Sequence, residues 1–281
     1  VDGQQVDREY YYFMTKIKKL TGIDLGQYKS RQMQRRLKSL LNRSGMRNFV
    51  EYYKLLERDR QALQSFLDFI TINVSEFFRN PDKFEELKTN ILPGLLARQD
   101  EVRIWSAGCA HGAEPYSVAI IMDELASSKP YSIWATDIDA SILEKAKQGV
   151  YRDVDVKNVS RQRLINYFTY DREASTYTVE PSIRERVVFE VHDLLKDPFP
   201  QDMDLILCRN VVIYFTDEAK AVLYERFYES LREGGVLFVG GTEMVFGASS
   251  IGFESISPLF YRKPIGGGQP LKPGRATSPA K

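Results

Sequence analysis

From Glu101 onward, short apolar segments alternate with helical patterns, and this alternation limits the fold more than any other feature of the chain. "VRIWSAG" reads as a strand and Pro115 to Leu125 as a helix; "YSIWATDID" is a second strand and Ser141 to Gln148 a second helix. "RVVFEVHDLL" and "MDLILCRNVVIYF" each hold a further strand. Thr216 and Asp217 are cap candidates for a helix running to Arg232, with Gly234 and Gly235 closing it before the strand "VLFVGG". Strands that are apolar throughout, instead of alternating, predict a parallel sheet covered by helices on both faces. One segment breaks the rhythm. Between Tyr151 and Arg186, a short helix around Ser160 to Phe168 and a hairpin in "YFTYDREASTYTVE" predict a small antiparallel insertion.

The preceding region differs in kind. Residues 1–80 read as short helices, roughly Val50 to Arg58 and Arg60 to Ile70 among them. After "TINVSEFFRNPDKF" a helix starts at Asn80–Pro81 and runs to about Arg98. These first eighty residues carry fifteen Lys+Arg against nine Asp+Glu, while the remainder is acidic, so two domains with different partners are expected. Leu25 to Val50 contains no acid at all. Within it Met33, Leu37, Leu40 and Leu41 recur at helical spacing and leave Arg31, Arg35 and Lys38 on the opposite face. The expected division is a helical domain over 1–72, a linker and helix over 73–98, and a sheet domain over 99–263 with its insertion at about 151–186. A flexible Gly/Pro/Ser-rich tail is expected over 264–281.

Hydrophobic residues at 43% and charged residues at 27% exclude the disordered and membrane classes, and no apolar run is long enough to span a bilayer. The start, "VDGQQVDREYYYF", lacks the order of a secretory signal. Cys109 and Cys208 lie in separate apolar segments, as reduced core thiols do, and with only His111 and His192 beside them no zinc-ligand spacing can be drawn. A soluble cytoplasmic monomer is the expectation.

In an open parallel sheet, ligands bind at the carboxyl ends of the strands where the strand order reverses. Four such ends carry polar groups: Gly108, Gly112 and Glu114 after the first strand, Asp137 after the second, Asp193 after the third, and Arg209 and Asn210 after the fourth. Asp137 follows Gly108 by 29 residues, a separation that suits an acid placed against ribose hydroxyls. A dinucleotide needs G-x-G-x-x-G and a pyrophosphate at the helix start, but the glycines here are spaced G-x-x-x-G and Glu114 would repel it. S-adenosylmethionine has no phosphate and a net positive charge, which suits an edge formed by Glu114, Asp137 and Asp193. Each residue alone also has a plainer role: a tight turn for the glycines, a first-turn acid for Glu114, a helix cap for Asp137, a solvated acid for Asp193. Asn73 with Glu76 has the spacing of a capping box, and Tyr214, Phe215, Phe77 and Phe78 are core types more often than ligand contacts.

Taken in order, "TINVSEFFRNP", "RIWSAGCAHGAEPYSVAI", "ATDIDASILEKAKQGVY" and "CRNVVIYF" resemble the chemotaxis receptor methyltransferase (CheR) family, bacterial enzymes that methylate glutamate side chains of chemotaxis receptors. The resemblance covers roughly Phe13 to Lys263 and implies a small helical N-terminal domain, a linker, and a Rossmann-like class I methyltransferase domain with an inserted β-subdomain. It implies that Asn73, Ser75, Arg79, Gly108, Glu114, Asp137, Asp193, Leu194, Arg209 and Asn210 hold S-adenosylmethionine. This reading displaces the capping box at Asn73, and it sets Arg79 against the cofactor's carboxylate. Ala113 stands where a second glutamate is usual and His111 replaces a small polar residue, departures that bear on fine affinity. The implied partner is the helical cytoplasmic region of a receptor, met by Arg31, Arg35, Arg36 and Lys38. Because the acceptor carboxylate is already ionised, no catalytic acid or base is assigned, and Tyr214 is a candidate for orienting it.

Two other readings compete. A nucleic-acid methyltransferase would use the basic helix on phosphates, but an Asn/Asp-Pro-Pro-aromatic run is usual in amino-methylating base enzymes and this chain has "RNVVIYF". The other is a non-catalytic module that binds the cofactor or a receptor without turnover, and the intact Asn73, Glu114, Asp137 and Asn210 argue against it.

Overall fold

Local caps place the N-terminal helices close to where the periodicity puts them. The computed structural model describes residues 3–71, 73, 75–125 and 129–266, and the expected tail beyond 266 lies outside them. Helix α1 is Gly3–Thr21, α2 Ser30–Ser44, α3 Phe49–Arg58 and α4 Arg60–Ile70. The Asn48 side chain accepts the Glu51 amide at the start of α3, and Asp59 accepts those of Gln61 and Ala62 at the start of α4. α2 ends on Gly45 at φ 72°, a left-handed cap that glycine adopts without strain. Phe13, Ile17, Leu37 and Phe66 are fully buried in the core these helices share, each contributing about 1.5–3 kcal/mol by burial.

The linker helix runs through α5 Pro81–Glu86, a π turn Leu87–Ile91 and α6 Leu92–Arg98. The widened turn sits just before Pro93, whose ring crowds the carbonyl four residues back.

The strands are β1 Val102–Ala107, β2 Tyr131–Asp137, β3 Val150–Tyr151, β4 Phe168–Asp171, β5 Thr176–Val179, β6 Val187–Val191, β7 Met203–Cys208, β8 Leu231–Val239, β9 Glu254–Ser257 and β10 Phe260–Arg262. The main sheet has the order β6-β2-β1-β7-β8-β10-β9, parallel through β8 and antiparallel at β10 and β9. Strand order therefore reverses between β1 and β7. Successive residues of these strands enter opposite cores: Ile104 and Leu205 pack with α7 Ala113–Glu124 and α8 Ala140–Gln148, while Trp105 and Ile206 pack under helix Asp217–Ser230. Two buried faces explain why the strands are apolar without alternation. β3, β5 and β4 form the inserted antiparallel sheet, preceded at its hairpin by helix Arg161–Tyr167. This is a Rossmann-like sheet with a small inserted antiparallel subdomain, preceded by an all-α domain.

One expectation is corrected. Gly234 and Gly235 do not close a helix: helix Asp217–Ser230 ends at Ser230 and β8 begins at once. The glycines lie inside β8, where pairing with β7 jumps from Met203↔Leu231 to Leu205↔Val236. A Cβ on Gly235 would come within 2.9 Å of two backbone oxygens, so the irregular strand needs glycine there. Cys208 ends β7 and Cys109 lies just past the neighbouring β1; both are buried free thiols.

Candidate cofactor site

At the reversal between β1 and β7 the structure opens a cleft. Its floor is the turn after β1. Gly108, at φ 81°, donates its amide to the Thr136 carbonyl at 2.8 Å, and a Cβ on it would meet Val211 at 2.4 Å. Ala110, at φ 49°, donates its amide to Asp137 Oδ2 at 2.9 Å, and Asp139 donates to Asp137 Oδ1 at 3.0 Å. Burial pushes the Asp137 carboxyl up in pKa, and these amides work against that shift. Each carboxylate oxygen keeps a lone pair for a ligand hydroxyl.

Glu114 sits in the first turn of α7, buried at 7% exposure. It accepts the Ser106 hydroxyl at 2.8 Å and pairs with Arg209 at 3.2 Å. The guanidinium of Arg209 also donates to the Arg79 carbonyl at 2.7 Å and to Asn80 Oδ1 at 2.8 Å, and lies 4.5 Å above the Phe238 ring. Burial holds the Arg209 pKa down, with Glu114 opposing it. Arg209 thus fastens the linker to α7. Along that linker Phe78 (φ 51°) and Asn80 (φ 62°) are left-handed, conformations that persist because neighbours hold them. Asn73 donates to Asp139 Oδ2 at 2.8 Å and to the Thr71 hydroxyl at 3.1 Å. Asn210, at φ 61°, keeps its side-chain Oδ1 buried without a hydrogen-bond partner among the described residues.

The family description CheR methyltransferase, SAM binding domain, matches residues 73–258, and CheR methyltransferase, all-alpha domain, matches residues 8–71. The chain belongs to the CheR methyltransferase family. It is 39% identical to a chemotaxis protein methyltransferase of Listeria monocytogenes over 92% of this chain and 98% of that one. It is 33% identical to one of Borreliella burgdorferi (86% and 89%) and 33% identical to chemotaxis protein methyltransferase 1 of Pseudomonas aeruginosa (84% and 89%). Its cofactor is S-adenosylmethionine, and its activity is that of a protein-glutamate O-methyltransferase of bacterial chemotaxis.

Every residue expected at the CheR cofactor site lines this one cleft: Asn73, Ser75, Arg79, Gly108, Glu114, Asp137, Asp193, Leu194, Arg209 and Asn210, with Tyr214 beside them. Arg209 compensates Glu114 and Arg79 adds a second cation beside the acids. Asn73 and Glu76 form no capping box: no helix begins there among the described residues, and Glu76 accepts from Asn158 and Lys157 of the insertion. One expectation changes. Arg36 leaves the basic face. Arg31, Arg35 and Lys38 are exposed, whereas Arg36 turns inward, donates to the Phe69 carbonyl and lies 4.9 Å over the Phe69 ring. Burial lowers its pKa, with Tyr214 acting against that.

The sequence reading missed Tyr28, Ile70 and Thr71, which the helical domain contributes to the cleft. Tyr28 pairs with Phe215 as an isolated bridge, Lys29 donates its amide to the Tyr214 carbonyl at 2.9 Å, and Thr216 donates to Gln27 at 2.8 Å. His192 also lines the cleft, with Nε2 on the Pro198 carbonyl, while His111 stands outside and ties the Ser75 carbonyl at 3.0 Å. No group of His, Cys, Asp and Glu among the described residues could hold a metal.

Proposed function

We propose that this chain methylates glutamate side chains on the helical cytoplasmic region of methyl-accepting chemotaxis receptors, forming the methyl esters of chemotactic adaptation. The observation that carries the reading is the balance of the cleft. Three acids, Glu114, Asp137 and Asp193, face two arginines, Arg79 and Arg209, beside the buried, unpartnered Asn210 Oδ1. S-adenosylmethionine carries a sulfonium, an ammonium and one carboxylate, so its net positive charge meets a net negative cleft. Asp137 would accept the ribose hydroxyls, Asn210 Oδ1 the ammonium hydrogens, and Arg79 would take the carboxylate by a charge-assisted bond. Leu194, Tyr28 and Ile138 offer apolar walls for the base.

When bound, the cofactor supplies an electrophilic methyl group on sulfur. The residues' task is positioning. An ionised carboxylate needs no proton removed, so rate comes from holding it in line and stripping its water. Tyr214, which lines the cleft beside Arg79, can orient the acceptor oxygen. Arg31, Arg35 and Lys38 offer an exposed cationic face to an acidic receptor helix. The sequence supports a cytoplasmic place, and no helix among the described residues is long and apolar enough to cross a membrane. Labelled-methyl transfer to receptor cytoplasmic fragments, with nucleic acid as the control acceptor, tests the assignment. Label on the nucleic acid alone would overturn it.

A further inference from the structure

Glu243 lies on the loop after β8, far along the chain from every residue assigned to the site, yet it is 3% exposed. Its Oε2 accepts the Asn210 amide at 2.8 Å and the Gly240 amide at 2.6 Å. Its Oε1 is buried without a hydrogen-bond partner among the described residues, and the neighbouring amides of Val211 and Ile213 favour the charged form against burial, which pushes its pKa up. One buried carboxylate oxygen thus joins the loop after β8 to Asn210, the first residue of the segment Asn210–Tyr214. That segment forms one wall of the cleft: Asn210, Val211 and Tyr214 all line it. It has little support of its own, since Asn210 is left-handed and the only regular element in it is the short 3-10 turn Val212–Tyr214. Nothing but glycine fits beside the carboxylate, because a Cβ on Gly240 would meet Glu243 Oε2 at 2.4 Å and the Asn210 amide nitrogen at 2.7 Å.

Resting on the methyl-transfer reading above, we propose that Glu243 is a positioning residue, whose carboxylate holds the start of the Asn210–Tyr214 segment and so sets where Tyr214 stands in the cleft. The segment is anchored from the other side by the helical domain, through Lys29 on the Tyr214 carbonyl. Glu243 therefore fixes where the acceptor is presented without touching it. Burying a carboxylate this deeply is costly without such donors, and the donors would be left unpaired without it.

Glu243→Leu keeps most of the volume but removes the oxygen that the Asn210 and Gly240 amides share. The full-length variant is assayed for methyl transfer to receptor fragments, for S-adenosylmethionine binding by calorimetry, and for melting. The expected result is a fall in kcat of about tenfold to a hundredfold, as a misplacement near an ångström produces, with KM for receptor within about threefold of the parent and cofactor Kd rising less than kcat falls, because Asn210 is disturbed but the other cofactor residues keep their places. Glu243→Asp should regain part of the rate. Gly240→Ala, whose Cβ would force the carboxylate and the Asn210 amide apart, should reproduce the loss if Glu243→Leu does not fold. Parental kcat in either folded variant overturns the proposal, as does cofactor affinity falling in step with kcat. A parent protein that transfers no methyl to receptor would instead refute the functional reading on which the proposal rests.

Discussion

Replacing Arg209 by methionine should damage this protein out of proportion to the single charge removed. The Arg209 side chain is 2% exposed and its guanidinium serves three acceptors: Glu114, the Arg79 carbonyl and Asn80 Oδ1. Methionine fills much of the volume but leaves Glu114, 9% exposed in its side chain, with the Ser106 hydroxyl as its remaining partner. Breaking a buried pair in this way costs about 3–5 kcal/mol, mostly because an uncompensated charge remains inside. The linker also loses the two bonds that hold it against α7, so cofactor affinity should fall as well. Urea unfolding at neutral pH measures the first effect and calorimetry the second. The double variant Arg209→Met with Glu114→Gln removes the stranded charge while sparing the Ser106 bond. It should be more stable than the sum of the single changes predicts, by about 1–3 kcal/mol. A single Arg209→Met loss below about 1 kcal/mol, the value of an exposed pair, would refute the reasoning. So would strict additivity in the cycle.

Asp137→Ala should weaken S-adenosylmethionine binding by about 1–3 kcal/mol, roughly fivefold to a hundredfold, because hydroxyl hydrogen bonds are lost in a buried site; calorimetry reads it directly. Arg31, Arg35 and Lys38 changed together to alanine should slow receptor methylation at low salt by about tenfold or more and flatten its salt dependence, with cofactor affinity intact. Arg36→Ala should instead lower the melting temperature, since Arg36 is tied to Phe69 and not to the exposed face. Burial pushes the Glu124 carboxyl up, but Arg163 (2.7 and 2.8 Å) and Lys88 (2.9 Å) outweigh it and leave its pKa below the ordinary value. A depressed carboxyl stabilises the fold above its unfolded pKa and ceases to as pH falls through the folded value. Glu124→Gln should therefore melt earlier than the parent at neutral pH, and the gap should close in acid.

Strand ends were the legible part of this site. Gly108, Asp137, Asp193 and Asn210 follow apolar runs, and a parallel sheet brings such ends together whatever the details of packing. Partnerships across the chain were less legible. Glu114 and Arg209 are 95 positions apart, and nothing local says that one neutralises the other. Arg36 and Arg35 differ by one position, about 100° around a helix, which is enough to turn one inward at the edge of the apolar stripe. Tyr28 enters the cleft only because the helical domain docks on the Tyr214–Thr216 segment, a tertiary fact with no periodicity behind it. The pair Gly234–Gly235 follows a helical pattern closely enough to look like a cap, although the chain uses it for an irregular strand. Glu243 had no signal either, since a lone acid between a glycine pair and an apolar residue reads as loop until its buried amide partners are seen.

The central claim is that the methyl group goes to a glutamate carboxyl of a receptor helix. Receptor cytoplasmic fragments treated with this protein and methyl-labelled S-adenosylmethionine can be digested and mapped by mass spectrometry, with and without mild alkali. The predicted result is label on glutamate residues of helical peptides, released as methanol by alkali as an ester must be. Alkali-stable label, on a nitrogen or on added nucleic acid, would contradict it.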